Sequence, residues 1–307
     1  MLQGRDLRKL KMDLILTTGL SGFLGRHVQS ILPADRYQVE NIPRALRQAS
    51  QDLKRHLLER KPGAIIHMAG IVDVRYCRQF PLEAFQAHVL DTACLLEAVR
   101  CACPETTFVY VATDKSFGEQ ESCGLSAHYQ PSFPYEASKA AEDLLVESYS
   151  MTYGLPIALL RFPNLFGEGD NHVERLIPSI CLAAVRNSEL VIRTQLEGTV
   201  RQYIYVRDAA AIVAQTLLAR QRGEDVWPKN HFGPENLKTV GDVVRDIECI
   251  TGQTLKTVEL HEPGEVSRLS LKDENSFHFP YTPWMTALRQ TMQWYREFNH
   301  GSGAVTR

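Results

Sequence analysis

No apolar run in this 307-residue chain approaches the ~20 residues that a membrane helix needs. The polar, basic stretch at 1–11 lacks the apolar block of a secretory signal. Neither sign of charge dominates: 34 Lys and Arg stand against 36 Asp and Glu, a formal net charge of −2. Without a basic stripe, nucleic acid and anionic membrane are poor partners. The seven cysteines are scattered, and the one close pair, Cys101 and Cys103, lacks the spacing of a zinc site. An odd, dispersed set fits free thiols in a reducing cytoplasm, so a cytoplasmic protein without a metal is expected. The ten histidines show no ligand spacing either, and His67 and His88 read as satisfied interior residues. No internal repeat or low-complexity linker is present.

What the chain does have is alternation. Apolar runs at 14–18, 37–42, 64–68, 108–112 and 157–161 read as strands. Helical patterns lie between them from 23, at 53–60, at 82–101 and at 135–153, two of them closed by Pro62-Gly63 and Gly154-Leu155-Pro156. That order predicts an α/β fold, a Rossmann-type doubly wound parallel sheet over 13–170, behind a flexible leader at 1–12. Beyond 170 the pattern turns irregular, with helices at 173–187, 208–222, 239–251 and 283–299 and strands at 189–193 and 255–260. This predicts a smaller, mainly C-terminal substrate-binding lobe over 171–300, with elements at about 200–222 returning to the first domain. Residues 301–307 are expected to be a disordered tail. Tyr110, Phe117, Trp227 and Trp294 read as packing residues.

Three segments carry chemistry. Thr18-Gly19-Leu20-Ser21-Gly22-Phe23-Leu24-Gly25 joins the first strand to the first helix, where glycines permit a tight turn and let backbone N–H groups approach a pyrophosphate. A dinucleotide is therefore the expected cofactor. Alternation places the end of the second strand, which contains Glu40, at Pro43-Arg44. Arg44 there can pair with a 2′-phosphate, which slightly favours NADP and leaves NAD open. Asp52 lies where it can reach the adenine amino group or cap the helix at 53–60. Tyr135 and Lys139 are four apart, on one helical face; an ammonium beside a phenol favours the phenolate and makes a base for a secondary alcohol. Thr113-Asp114-Lys115 adds two ionisable groups that simple alcohol oxidation does not need.

Together these residues resemble the extended short-chain dehydrogenase/reductase family, in its nucleotide-sugar branch. The likeness runs from about 13 to 298. It includes the glycine turn, His67-x-Ala69, Tyr135-x-x-x-Lys139 and Arg161-x-x-Asn164-x-x-Gly167. It continues through Val200-Arg201-x-Tyr203-Ile204-Tyr205-Val206-x-Asp208 and Leu288-x-x-Thr291-x-x-Trp294-Tyr295. Thr113-Asp114-Lys115, Arg175-Leu176-Ile177-Pro178 and Val191-Ile192-Arg193 are similar to CDP-glucose 4,6-dehydratases, and the first also to inverting UDP-N-acetylglucosamine 4,6-dehydratases. The chain departs from the family at His88-x-x-Asp91-Thr92, where an Asn-x-x-Gly-Thr run is common, and its segment between Lys115 and Tyr135 is short.

The resemblance implies an NAD(P)-dependent nucleotide-sugar 4,6-dehydratase with a tightly held, recycled cofactor. Thr113, Asp114, Lys115, Tyr135 and Lys139 would be catalytic, with the acid and base roles of Asp114 and Lys115 left open. Gly19, Ser21, Gly22, Phe23, Leu24, Gly25, Arg44, Asp52, Leu53, Met68, Ala69, Gly70 and Phe162 would line the cofactor together with Tyr135 and Lys139. Asn164, Arg175, Arg193, Arg201 and Arg268 would hold the substrate, with Arg161 supporting the site. Helices at 82–101 and 135–153 look like the pair that forms a homodimer. An epimerase, a keto-sugar reductase or a 5,6-dehydratase would use the same fold. A non-catalytic redox sensor would more often have lost the Tyr or the Lys.

Overall fold

The computed structural model of the chain describes residues 13–260 and 267–301. The expected leader lies outside these residues, as do 302–307 of the expected tail and Glu265-Val266 beside Arg268.

The first half alternates as the apolar runs dictate. β1 (Asp13–Thr18), α1 (Phe23–Ile31), β2 (Tyr37–Asn41), α2 (Arg44–Arg47), α3 (Ser50–Arg60) and β3 (Ala64–His67) come first. α4 (Val74–Gln79), α5 (Pro81–Phe85), a π-turn at Gln86–Leu90, α6 (Asp91–Ala102) and β4 (Thr107–Thr113) follow. A 3₁₀ turn at Asp114–Phe117, then α7 (Pro134–Tyr153) and β5 (Ile157–Phe162) complete it. The second half holds β6 (Asn164–Phe166), α8 (Leu176–Arg186), β7 (Leu190–Ile192), β8 (Val200–Tyr205) and α9 (Val206–Gln221). It ends with β9 (Lys229–His231), β10 (Leu237–Thr239), α10 (Val240–Thr251), β11 (Thr257–Glu259), β12 (Arg268–Leu269) and α11 (Trp284–Gly301).

Six strands form a parallel sheet in the order β2-β1-β3-β4-β5-β9. Its inner strands are apolar on both faces because helices cover both. Ile15, Ile66, Val109 and Leu160 pack into one layer, and their neighbours Leu16, Ile65, Phe108 and Leu159 into the other. The first layer continues without a break into the residues of α8, α9, α10 and α11. A smaller mixed sheet, β10-β8-β12 with β6 beside β8, and the pair β11-β7 build the second part. α9 packs against α1, and β9 joins the edge of the large sheet. The two parts are also tied at α1: Arg26 Nη2 donates to the Gly169 carbonyl (2.7 Å) and His27 Nε2 to that of Glu168 (2.8 Å).

Four local readings change. The helix expected over 82–101 is divided by the π-turn, which carries His88 into the interior and starts α6 at Asp91. β2 ends at Asn41, before Pro43, and α2 fills the space to α3, which begins at Ser50. α8 begins at Leu176, after Glu174 and Arg175 have left in ion pairs. Trp227 is 43% exposed, whereas Tyr110 and Phe117 are buried.

Candidate active site

Strand order reverses between β1 and β3, and that crevice is where a parallel α/β sheet takes a ligand. The glycine turn sits there. Gly19 holds φ +80°, and a Cβ on it would meet the Ala69 nitrogen at 2.9 Å. A Cβ on Gly25 would fall 2.2 Å from the Gly19 carbonyl oxygen, and one on Gly22 3.0 Å from it. Gly22 caps α1, whose first turn holds no acidic residue. Backbone donors, room and sign of charge therefore suit a pyrophosphate. Ser21 is exposed on this turn, Leu24 and half-buried Phe23 root it in the core, and half-buried Met68 and Ala69 donate through N–H to Thr18 Oγ1 (3.2 and 3.1 Å). Gly70 lies against the His88 ring.

The ribose end differs from expectation. Asn41, at the end of β2, accepts from the Leu20 N–H (3.2 Å), while Glu40 turns aside to Gln38 and Arg60. Arg44 begins α2 and, with buried Arg47, faces the buried carboxylate of Asp91 at 3.7 and 3.9 Å. Asp52 neither caps α3 nor leaves its own turn: it is exposed and pairs with Arg55 at 3.3 Å. Leu53 and Phe162 are fully buried core side chains, the latter tilted against the Phe232 ring at 5.5 Å.

α7 begins with Pro134 at its first turn and ends at Gly154 (φ +65°), which sets Tyr135 and Lys139 at the top of the sheet. Tyr135 is buried among Ile71, Val74, Cys77 and Ala84, with its ring edge-on to His88 at 5.8 Å. Burial raises its pKa; the positive charges of Lys139 and Arg175 oppose that rise, and Asp114 adds to it. The Lys139 ammonium donates to Glu142 and to the Tyr110 hydroxyl (3.2 Å). Burial would lower its pKa, but Glu142, Tyr135 and Asp143 outweigh burial and raise it.

Thr113 ends β4, and its Oγ1 caps the 3₁₀ turn by accepting from the Lys115 N–H (3.3 Å) and donating to Asp114 Oδ1 (3.2 Å). Asp114 is 1% exposed, and its Oδ2 has no hydrogen-bond partner among the described residues. Burial raises its pKa against the pull of Lys115, Thr113, Arg201 and Arg161. Beneath the turn lies the fully buried guanidinium of Arg161. It donates to the Thr113 carbonyl (2.6 Å), to Asp143 (2.7 Å), to Tyr129 (3.2 Å), to His231 Nε2 (3.2 Å) and to Ser116, over the ring of Phe117.

Of the expected substrate residues, Arg201 and Arg175 come within electrostatic reach of Asp114 and Tyr135 respectively. Arg201 is buried, donating to the Val200 and Ser267 carbonyls (3.0 and 3.2 Å), and Arg175 pairs with Asp170 at 3.2 Å. Asn164 donates to the Gln202 carbonyl (3.0 Å). Arg193 lies 3.8 Å from Glu174, and Arg268, in the strand beside Val200 and Arg201, pairs with exposed Glu121. His67 and His88 are buried with both ring nitrogens bonded. Burial lowers both pKa values, that of His88 to about 4. Among the described residues no group of three or more His, Cys, Asp or Glu side chains could hold a metal ion, and no helix is long and apolar enough to cross a membrane. Sequence reasoning missed Tyr110, Glu142 and Asp143. The signal was readable for the two acids, which lie on α7 three and four residues after Lys139 and so on the same helical face.

Residues 15–234 match the profile of the NAD dependent epimerase/dehydratase family. The chain belongs to that family. The residues of the glycine turn fit the family's NAD. Among relatives, a trifunctional UDP-glucose 4,6-dehydratase/UDP-4-keto-6-deoxy-D-glucose 3,5-epimerase/UDP-4-keto-L-rhamnose-reductase of Arabidopsis thaliana is 30% identical over 262 residues. The match covers 81% of this chain and 38% of that protein, so this family member spans about two fifths of that longer relative. A dTDP-glucose 4,6-dehydratase of Haemophilus influenzae is 26% identical over 94% of this chain and 99% of its own. In structure, the dTDP-glucose 4,6-dehydratase DesIV from Streptomyces venezuelae, solved with NAD and TYD, superposes with a TM-score of 0.79 at 25% identity, covering 94% and 98% of the two chains. A UDP-glucose 4-epimerase from Thermotoga maritima, solved with UDP-glucose, gives 0.81 at 20% identity over 93% and 99%, a likeness of fold. These relatives act on uridine and thymidine nucleotides by name, rather than on the CDP-glucose that the motifs suggested.

Proposed function

We propose that this family member is a nucleotide-sugar 4,6-dehydratase. The observation that carries the reading is Asp114: a buried carboxyl with an unpartnered oxygen and a raised pKa, next to Lys115 and within the field of Tyr135. A protonated carboxyl is what departure of a sugar 6-hydroxyl as water requires, and the adjacent lysine suits removal of the C5 proton. We assign Asp114 as the acid and Lys115 as the base on this ground. Tyr135 takes the proton of the 4-hydroxyl, Lys139 supports it, and Thr113 binds the same oxygen. The bound nicotinamide supplies hydride uptake and return. Arg201 and Arg175 hold the substrate's diphosphate side, with Asn164, Arg193 and Arg268 as outer contacts.

A neutral Asn41 at the end of β2, with the cationic Arg44 and Arg47 following on α2, supports NADP over NAD, because the side chain at the strand end carries no charge to repel a 2′-phosphate. Exposed Leu82, Phe85, Leu90, Leu144, Met151 and Tyr153 on α5, the π-turn and α7 support a homodimer through this face. A 13–170 dinucleotide unit and a 171–300 substrate lobe stand as the domain division we propose.

The test is mass spectrometry after incubation with UDP-, dTDP-, CDP- and GDP-sugars and either cofactor. Loss of one water, with deuterium moved from C4 of the substrate to C6 of the product, is the expected result. Altered sugar stereochemistry without loss of mass would make the protein an epimerase instead.

A further inference from the structure

The proposed chemistry leaves the buried charge of Glu142 unused. Its carboxylate ends a chain of buried hydrogen bonds that starts at the glycine turn. Thr18 Oγ1 lies 2.6 Å from His67 Nδ1, His67 Nε2 lies 2.8 Å from Thr92 Oγ1, and Thr92 donates to Glu142 Oε1 at 2.8 Å. Lys139 donates to the other oxygen, Oε2. The direction of every link follows from the last one. Thr92 gives its proton to the carboxylate, so it accepts from His67 Nε2–H; His67 Nδ1 then accepts the Thr18 proton, and Thr18 still accepts from Met68 and Ala69. Nothing in this chain is left with two donors or two acceptors facing.

The consequence concerns the charge that Tyr135 sees. A lysine lowers a neighbouring phenol's pKa through its positive field, and a carboxylate in contact with that lysine cancels much of the field. Two of the three Lys139 donors are committed to Glu142 and Tyr110. The other groups around Tyr135 and Lys139 do not restore the balance. Asp143 on α7 is engaged by Arg161 and by Tyr110 on β4. His67 on β3 and His88 on the π-turn are neutral, and burial pushes the Cys77 thiol on α4 up to about 11. Asp114 on the 3₁₀ turn and Arg175 ahead of α8 act on Tyr135 with opposite signs. Arg47 on α2 is itself beside Asp91.

We propose that Glu142 is a positioning and charge-balancing residue, which holds Lys139 in place and raises the pH at which Tyr135 becomes a phenolate. This rests on Tyr135 being the proton acceptor of the proposed function. The test therefore needs no substrate. The phenolate absorbance of the full-length protein is titrated with pH, with and without NADP+, and the Tyr135 part is the difference between each protein and its Tyr135→Phe counterpart. In Glu142→Gln, Tyr135 should ionise roughly one pH unit or more below its wild-type midpoint. Glu142→Asp, which keeps the charge but withdraws it by one methylene, should shift the midpoint less in the same direction. It decides alone if circular dichroism shows that Glu142→Gln does not fold. A midpoint that is unchanged or higher in these variants overturns the proposal. A shift in a protein that turns over no nucleotide sugar would sink the dehydratase reading and leave the role of Glu142 standing.

Discussion

Replacing Arg161 by Met should expose how much of the site rests on one buried guanidinium. Methionine fills a similar elongated space among Phe117, Tyr129 and His231, so the change is chiefly one of charge and hydrogen bonds. It strands Asp143, which is fully buried and retains only the Tyr110 hydroxyl at 2.9 Å of its strong partners. Breaking a buried ion pair from one side costs about 3–5 kcal/mol, because the remaining charge is uncompensated. The Thr113 carbonyl and Ser116 hydroxyl lose a donor as well, each a further cost of about 1 kcal/mol. Against a total stability of roughly 5–15 kcal/mol, that is a third or more. The assay is urea unfolding followed by circular dichroism for wild type, Arg161→Met, Asp143→Asn and the double variant. The double variant should recover about 1–3 kcal/mol relative to the sum of the single losses, since the stranded carboxylate is gone. A single-variant loss below about 1 kcal/mol, or losses that simply add, would refute the account of Arg161 as a charge-paired support for the Thr113-Asp114 turn.

Other outcomes follow from the same geometry. Asp114→Asn should still exchange hydride with the sugar at C4 but release water at least about 100-fold more slowly, as measured by product mass over time, because the amide cannot supply the acid proton. Gly25→Ala should abolish dinucleotide binding in a fluorescence titration, since its methyl group would fall 2.2 Å from the Gly19 carbonyl and force the turn to move. Stability should fall as pH drops below the ordinary histidine range. Burial holds His88 at about 4 and His231 at about 3, so both stay neutral in the fold while the unfolded chain takes up protons. Each then costs about 1.4 kcal/mol per pH unit between roughly 6.5 and its folded pKa. Urea midpoints across that range, in wild type and His88→Gln, measure it directly; an equal acid slope in both would count against His88.

Five strands of the large sheet were legible because they are short runs rich in apolar residues punctuated by glycine and proline, signals that local chemistry alone produces. Tyr135, Lys139 and the glycine turn were legible for the same reason, as their spacing is their geometry. Strand β9 was not legible, since Lys229-Asn230-His231 is polar and only pairing with β5 makes it a strand. The π-turn at Gln86–Leu90 was not, because its cause is remote: His88 is held by Ser138 on α7 and by the Ile71 backbone. The same holds for the early end of β2. Alternation extends to Ile42, but the fold stops the ladder at Asn41, so that Asn41 meets Leu20 while Glu40 goes to Arg60. Arg161 read as a site arginine, yet only the folded chain brings Asp143, Tyr129 and His231 to its one guanidinium.

The contacts of Arg26 and His27 with the carbonyls of Gly169 and Glu168 bear on how such a protein can be rebuilt. α1 is the helix whose N-terminus carries the proposed dinucleotide turn, and the same helix is bonded to the loop after β6 in the second half of the chain. A lobe grafted from a relative in order to change the sugar that is accepted would meet this helix as its foundation. Such a chimera must carry a compatible pair at 26 and 27, or its new lobe will sit on a displaced α1 and disturb the cofactor turn it was meant to leave alone. In the proposed enzyme, sugar selectivity and cofactor loading are thus not separate modules, because α1 carries contacts to both parts of the chain.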